Sequence, residues 1–275
     1  MKKFRVSQVV LNIAIMLLIF IMLYPLAMAV FGAFKNSYTY ELTKWYPTLP
    51  LRISNIASAF SSIWRYIANT VLVAGVAVSG SVIIASLASY AFAKMYCSGK
   101  KVLYLMVISL MMVPGVLTLV PSYMQYKAIV GLDNYLILIM PTLIGGPVFG
   151  VFLLRSFYEG IPDALFEAAR IEGAGEMTIF TKICVPMSLP ITGTLAIMQL
   201  LNVWNDYMWP IITIQRDELL TISAGLVLQF SGADGAVNYP ITYAAYLLAS
   251  LPLIILFVAA NKTYVEGLTS SAIKM

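Results

Sequence analysis

Residues 167–190 read EAARIEGAGEMTIFTKICVPMSLP and carry five ionisable side chains, Glu167, Arg170, Glu172, Glu176 and Lys182, between two long apolar runs. What such an interruption means depends on the solvent around the runs that flank it. The 275 residues are 61% hydrophobic and 11% charged, with a mean hydropathy of +0.89, whereas a soluble domain carries about 25% charged residues. So apolar a chain cannot cover itself with polar surface, and lipid is its expected solvent. Crossing the hydrocarbon core takes about 20 apolar residues per helix. Six segments qualify, at about 8–34, 66–93, 102–126, 134–154, 188–213 and 241–261. Backbone groups in lipid must bond within their own span or close a barrel. The runs at 11–20 and 247–260 are apolar on every side, without two-residue alternation, which selects helices. The predicted fold is an all-α membrane protein of six transmembrane helices, a single transmembrane domain over residues 1–275.

Basic residues set the orientation, because cytoplasmic loops retain Lys and Arg. An N-terminus inside places Lys2, Lys3, Arg5, Lys94, Lys100, Lys101, Arg155, Arg170, Lys182, Lys262 and Lys274 on the cytoplasmic side, eleven of the seventeen basic residues. Both termini are therefore expected to be cytoplasmic. This bias also accounts for the net charge of +5, so no nucleic-acid partner is required. The opening MKKFR and Ala27-Met28-Ala29 have the look of a secretory signal. The apolar run before Pro25 reaches about 20 residues, longer than the roughly 7–15 of a cleavable signal, so a retained first helix is expected.

Several chemistries find no residues to carry them. With no histidine in the sequence, imidazole bases and His-bearing metal sites are excluded. Cys97 and Cys184 are far apart in sequence and read as incidental thiols on the reducing side. Ser98-Gly99-Lys100-Lys101 approaches a phosphate-binding loop but lacks the upstream Gly and the Ser/Thr, so the chain is not expected to bind ATP itself. Of the ionisable residues within spans, the strong functional candidate is Asp206, in Trp204-Asn205-Asp206-Tyr207.

The polar interruption itself reads as an elbow, a cytoplasmic loop over 155–190. Pro162 suits the first turn of a helix, with Asp163 and Glu167 near its positive end. Good helix formers follow to Glu172, and Gly173 and Gly175 supply the turn. A second short helix is expected over 176–184, with Ile179, Phe180 and Ile183 on one face and Pro186 and Pro190 ending it. Ala168 and Ala169 give the first helix a small face that another protein can approach. A plain connector explains the helices equally well; a docking elbow also explains the charges, the alanines and the glycine break.

Here the residues become specific. Glu167-Ala168-Ala169, Gly173-Ala174, Phe180, Ile183, Val185-Pro186 and Pro190 resemble the EAA loop of permease subunits from bacterial ATP-binding-cassette importers. The likeness extends to Asn69-Thr70, Ala88-Ser89-Tyr90-Ala91-Phe92-Ala93-Lys94, Gly99-Lys100, Pro114 and Pro121, and Gly131-Leu132-Asp133-Asn134. It continues through Leu153-Leu154-Arg155-Ser156-Phe157, Ile161-Pro162, Trp204-Asn205-Asp206-Tyr207 and Tyr264-Val265-Glu266-Gly267-Leu268-Thr269. Together these are similar to the carbohydrate-uptake branch of the MalG type and to a MetI-like type I importer permease fold. Glu172 stands where that family more often has Asp, and the tail from Ser270 to Met275 departs from the commoner small-residue ending.

The resemblance implies a non-catalytic permease subunit forming half of a path for a sugar or oligosaccharide. Its elbow would be a coupling helix seated on a separate ATPase, with Glu167, Ala168, Ala169, Glu172 and Gly173 at the contact. The implied partners are a second permease subunit, two ATP-binding-cassette ATPase subunits, which bind the ATP, and an extracellular or periplasmic sugar-binding protein. It implies no cofactor or metal in this chain, and a multi-pass position in the bacterial plasma (inner) membrane. Tyr123, Asn202, Trp204, Asn205 and Asp206 are candidate path residues, although in the maltose-type importer the translocation site lies mainly in the partner chain. The Trp204 group reads equally as an interfacial anchor. Gly146 and Gly150, spaced as G-x-x-x-G, point to close helix packing, or to a hinge or pore wall. The loops at 35–65 and 214–241, including Trp45, Tyr46 and the 229–239 stretch around Gly232, are either contacts for the binding protein or solvated connectors. A secondary carrier driven by an ion gradient through Asp206, and a permease for a solute other than sugar, are the alternatives.

Overall fold

The computed structural model describes residues 6–230 and 237–272, with side chains over 8–230 and 237–260. Gly232 lies outside the described residues, as do the side chains of the 264–269 motif. Every regular element among the described residues is helical, as an apolar chain in lipid requires. In chain order these are α1 (Val6–Ala33), α2 (Ser37–Leu42), α3 (Ser54–Lys94), α4 (Lys100–Ser109), α5 (Gly115–Val130) and α6 (Tyr135–Glu159). Then come α7 (Asp163–Ile171), α8 (Glu176–Ile179), α9 (Val185–Asn205), α10 (Met208–Thr213), α11 (Ile222–Phe230) and α12 (Tyr239–Ala272).

Five helical stretches are long and apolar enough to cross a membrane, and a sixth crossing arises if the bent pair Lys100–Met112 and Gly115–Val130 counts as one. That pair turns by 101° at Pro114, whose backbone is extended, with ψ 129°. Proline disfavours helical geometry in the residue before it, so the segment expected over 102–126 is broken. Helix α3 begins earlier than the expected 66 and runs for 41 residues. At about 1.5 Å per residue it is roughly twice the length of a hydrocarbon core, so much of it stands outside the lipid.

The chain divides into two compact units, one from residues up to Trp64 with Leu226–Ile254, the other from Arg65–Gly225 with residues from Ile255 onward. In the first, Asn55 donates its amide to the carbonyls of Ala33 and Lys35, at 2.8 and 2.7 Å, closing the end of α1. Lys35, only 2% exposed, donates to the carbonyls of Tyr46, at 2.7 Å, and Thr43. Tyr243 lies against Gly32, where a Cβ would sit 2.5 Å from its ring.

In the second unit, α3 presents a buried stripe of small residues, Ala74, Ala77, Ser81, Ala85 and Ser89, at helical spacing. Gly146 and Gly150 of α6 face it. A Cβ on Gly150 would lie 2.6 Å from Ala85 and 3.0 Å from Leu195 of α9, and one on Gly146 would lie 2.5 Å from the Ser81 hydroxyl. The G-x-x-x-G is thus a three-helix packing point. Lipid supplies no hydrophobic drive between helices, so close backbone approach carries the association. At the other end of α3, Asn69 donates to the carbonyls of Glu218 and Leu220, and Thr70 accepts from the Ile222 backbone N–H at 2.8 Å. The Asn69-Thr70 pair of the sequence therefore pins the return segment before α11.

Candidate functional site

The elbow begins where α6 ends. Pro162 precedes α7, which places Asp163 in its first turn and Arg170 in its last, as the helix dipole favours. Gly173 then adopts φ +83°, a left-handed geometry that L side chains adopt only under strain. This turn brings the Ala174 N–H to the Ala169 carbonyl at 2.9 Å.

The return differs from expectation. The chain passes from α8 through a π-helical turn, Phe180–Cys184, directly into α9, so Pro186 and Pro190 do not end the second helix. Pro186 lies in the first turn of α9, where its missing N–H disturbs the ladder least. Phe166, Ile179, Phe180 and Cys184 are buried with Tyr90, Leu154 and Tyr158 in one core cluster. The elbow is thus fused to the helical body by its apolar face.

A polar clasp completes the attachment. Lys94, the last residue of α3, has a side chain only 3% exposed. Its ammonium donates to the Ile161 carbonyl at 2.7 Å and to Asp163 at 2.5 Å, and lies 4.8 Å from the centre of the Phe166 ring. Arg170 spans Gly173 to reach Glu176, Nε to Oε1 at 2.8 Å and Nη2 to Oε2 at 3.3 Å, and also donates to the Lys94 carbonyl at 3.2 Å. Tyr90 donates its hydroxyl to Glu176 at 2.6 Å, while its ring packs on Phe180 and Phe166. The Lys94 ammonium bonded to Asp163 holds that carboxyl below the ordinary carboxylate range. The Glu176 carboxylate bonded to Arg170 raises its guanidinium further above its ordinary value.

The five residues expected at the contact do not share one face. Glu167, Ala168, Glu172 and Gly173 are exposed, whereas Ala169 is half-buried and packs on the core cluster. Ala168 thus leaves a small side chain at the surface, while Ala169 seats the helix on the cluster. Ile171, beside them, is 88% exposed. Tyr90, Lys94, Arg170 and Glu176 received no role from sequence alone. A signal for two of them was present, since Tyr90 and Lys94 stand four apart at the end of a span, on one helix face.

The candidate path residues also separate. Asn202 and Asp206 line one cavity of about 270 Å³ together with Thr142, Trp209 and Thr221. Tyr123 lines a different depression with Leu119, Val120 and Ile212. Trp204 is buried, 6% exposed, and Asn205 is exposed, its amide bonded to the Leu201 carbonyl at 2.8 Å. The expected span over 188–213 breaks at Asp206, which has extended backbone, ψ 111°, and accepts the Trp209 backbone N–H at 3.2 Å.

The family described as binding-protein-dependent transport system inner membrane component matches residues 81–268, well over half of the chain. The chain belongs to this family of transport permeases. It is therefore a multi-pass component of the plasma (inner) membrane with a permease fold. The matched span contains the small-residue seam from Ser81 onward, the clasp and the elbow. Among its relatives is the melibiose/raffinose/stachyose import permease protein MelC of Bacillus subtilis, 31% identical over 84% of each chain. Another is the arabinooligosaccharides transport system permease protein AraQ of Halalkalibacterium halodurans, 27% identical over 96% of this permease and 95% of that one. A bacterial ABC transporter involved in the import of the acidic polysaccharide alginate has the same fold. Its TM-score is 0.82 at 19% identity, covering 95% of this chain and 98% of that one.

Proposed function

We propose that this permease forms half of the translocation path of an ATP-driven importer of a sugar or oligosaccharide, and that its elbow carries motion from a separate ATPase. The carrying observation is that α7 is bound to the body in two ways, by the buried Phe166 cluster and by the Lys94–Asp163 and Arg170–Glu176–Tyr90 clasp. A surface element held this way moves with the helices behind it, and packed interfaces shift as units without deforming smoothly. Glu167, Ala168, Glu172 and Gly173 are the contact residues and Ala169 supports them from beneath. The relatives named for oligosaccharide import support the sugar reading.

On this reading the chain is non-catalytic, and ATP is bound and hydrolysed by two partner ATPase subunits. A second permease chain completes the path and a sugar-binding protein delivers solute from outside. Both termini and the 155–190 elbow lie on the cytoplasmic side. The test is copurification of the partners, followed by ATPase stimulation and uptake in proteoliposomes across a sugar panel. Sugar-stimulated hydrolysis that needs the binding protein is expected. Uptake by this chain alone, driven by an ion gradient, would overturn the proposal.

A further inference from the structure

The cavity holding Asn202 and Asp206 lies among α3, α6, α9 and α10, and its construction is specific. Pro141 of α6 has no N–H to bond the Ile137 carbonyl one turn back. The Trp209 indole N–H takes that carbonyl instead, at 2.8 Å. The indole's one donor is thereby spent on the scaffold, and its ring is fixed as a cavity wall. Val73, Leu138 and Pro141 add aliphatic wall. The polar residues of the lining are Asp206, Asn202, Thr142 and Thr221.

Thr221 lines the cavity but is 2% exposed, with its Oγ1 closed off from the space itself. The polar lining residues that keep accessible surface are Asn202, which is exposed, and Asp206 and Thr142, which are half-buried. The surroundings mix acceptors with donors on aliphatic and aromatic walls, which suits a molecule bearing several hydroxyls on an apolar ring. The volume of about 270 Å³ falls just below the roughly 300–1,000 Å³ of pockets for drug-sized ligands, room for one ring and not for a chain of them. The lining carries a carboxylate and neither Lys nor Arg. An anionic solute would meet like charge in a poorly solvated place.

We propose that this cavity is a single-ring subsite for an uncharged sugar, in which Asp206, Asn202 and Thr142 take the ring hydroxyls and Asp206 rejects uronates and sugar phosphates. The proposal rests on the sugar-import reading and narrows it. Solute contact then lies in this chain as well as in its partner, one ring at a time, and the discrimination is electrostatic. The alginate importer of the same fold handles an acidic polysaccharide, so a shared fold with a different charge in this cavity would sort the two solute classes.

The experiment uses the assembled importer with its binding protein in proteoliposomes, with raffinose and an arabinooligosaccharide as neutral probes and a galacturonate oligomer as the acidic one. Asp206→Asn is expected to raise KM for the neutral sugar about 10-fold or more, the scale of a hydrogen bond to a charged group, and to narrow the preference over galacturonate. Thr142→Val, which keeps the shape and removes the hydroxyl, is expected to raise KM about 3- to 10-fold. Where a variant fails to assemble, Thr142→Cys in a background lacking Cys97 and Cys184 gives a second readout: the neutral sugar slows its labelling by a small thiol reagent. Unchanged KM and selectivity with no protection would mean that the cavity holds water only and would overturn the subsite, leaving sugar import intact. An importer that takes up none of the sugars would overturn the import reading as well.

Discussion

Arg170 and Glu176 stand on opposite sides of the left-handed Gly173 and are joined by two hydrogen bonds, at 2.8 and 3.3 Å. The pair closes the elbow like a strap across its bend. Its two side chains are 37% and 40% exposed, so as an ion pair it contributes about 1 kcal/mol or less, and its role lies in fixing the angle between α7 and α8. Arg170→Ala and Glu176→Ala are expected to leave the assembled importer folded while lowering solute moved per ATP several-fold. The exchange Arg170→Glu with Glu176→Arg should recover part of that ratio. Equal transport per ATP in all three variants would show that the strap carries no coupling.

Gly173 separates conformation from bulk. A Cβ there meets nothing within 4 Å, yet φ is +83°, so the cost of a side chain in the free chain is backbone strain of about 1–2 kcal/mol. Asn tolerates this region better than β-branched residues do. Gly173→Val is expected to lose coupling and Gly173→Asn to retain most of it, as read by ATPase copurification and by transport. Equal loss in both would place a partner groove tightly over this position.

Tyr90 contributes a ring and a hydroxyl that substitution can separate. Tyr90→Phe keeps the packing on Phe166 and Phe180 and removes the donor to Glu176, at an expected cost of about 1.5–3 kcal/mol for a bond to a charged group. Tyr90→Ala also empties the cluster and should cost about 3–5 kcal/mol. Thermal inactivation of the purified complex should rank wild type above Phe and Phe above Ala.

The small-residue seam predicts a contrast within one residue type. Gly150→Ala puts a methyl 2.6 Å from the Ala85 Cβ, whereas Gly75→Ala meets nothing within 4 Å. The first should reduce folded yield in membranes sharply and the second should not. Membrane abundance of the two variants checks this directly.

The Lys94–Asp163 tie has a defined pH window. The Asp163 carboxyl is held below its ordinary value of 3.8, so the contribution is complete above that value and is lost as pH falls through the lower, folded one. Stability and coupling attributable to the pair should be flat from about pH 5 to 8. Asp163→Asn should weaken coupling by the same factor across that range. A wild-type titration of coupling near neutral pH that is absent in Asp163→Asn would contradict the assignment.

The sequence by itself determined the solvent, the helical class and the presence of an elbow. Each of these follows from additive or local quantities: composition, run length, the φ freedom of Gly173 and the residue types around Glu167-Ala168-Ala169. It also singled out Gly146 and Gly150, because small residues four apart share a helix face whatever they meet, and left packing point or hinge for the contacts to Ser81, Ala85 and Leu195 to decide. Only the tertiary structure decided which residues hold the elbow. Lys94 and Asp163 are 69 residues apart and Tyr90 and Glu176 are 86 apart, and no local pattern couples side chains at such separations. It alone divided Ala168 from Ala169, because one faces solvent and the other the Phe166 cluster. It alone carried the chain through Pro186 and broke it at Pro114 and Asp206, where the fate of the backbone hydrogen bonds depends on neighbouring segments. It also placed Asn202 and Asp206 on one cavity, apart from Tyr123, and set Thr221 beside them, since a cavity belongs to the packing of several helices and not to any one of them.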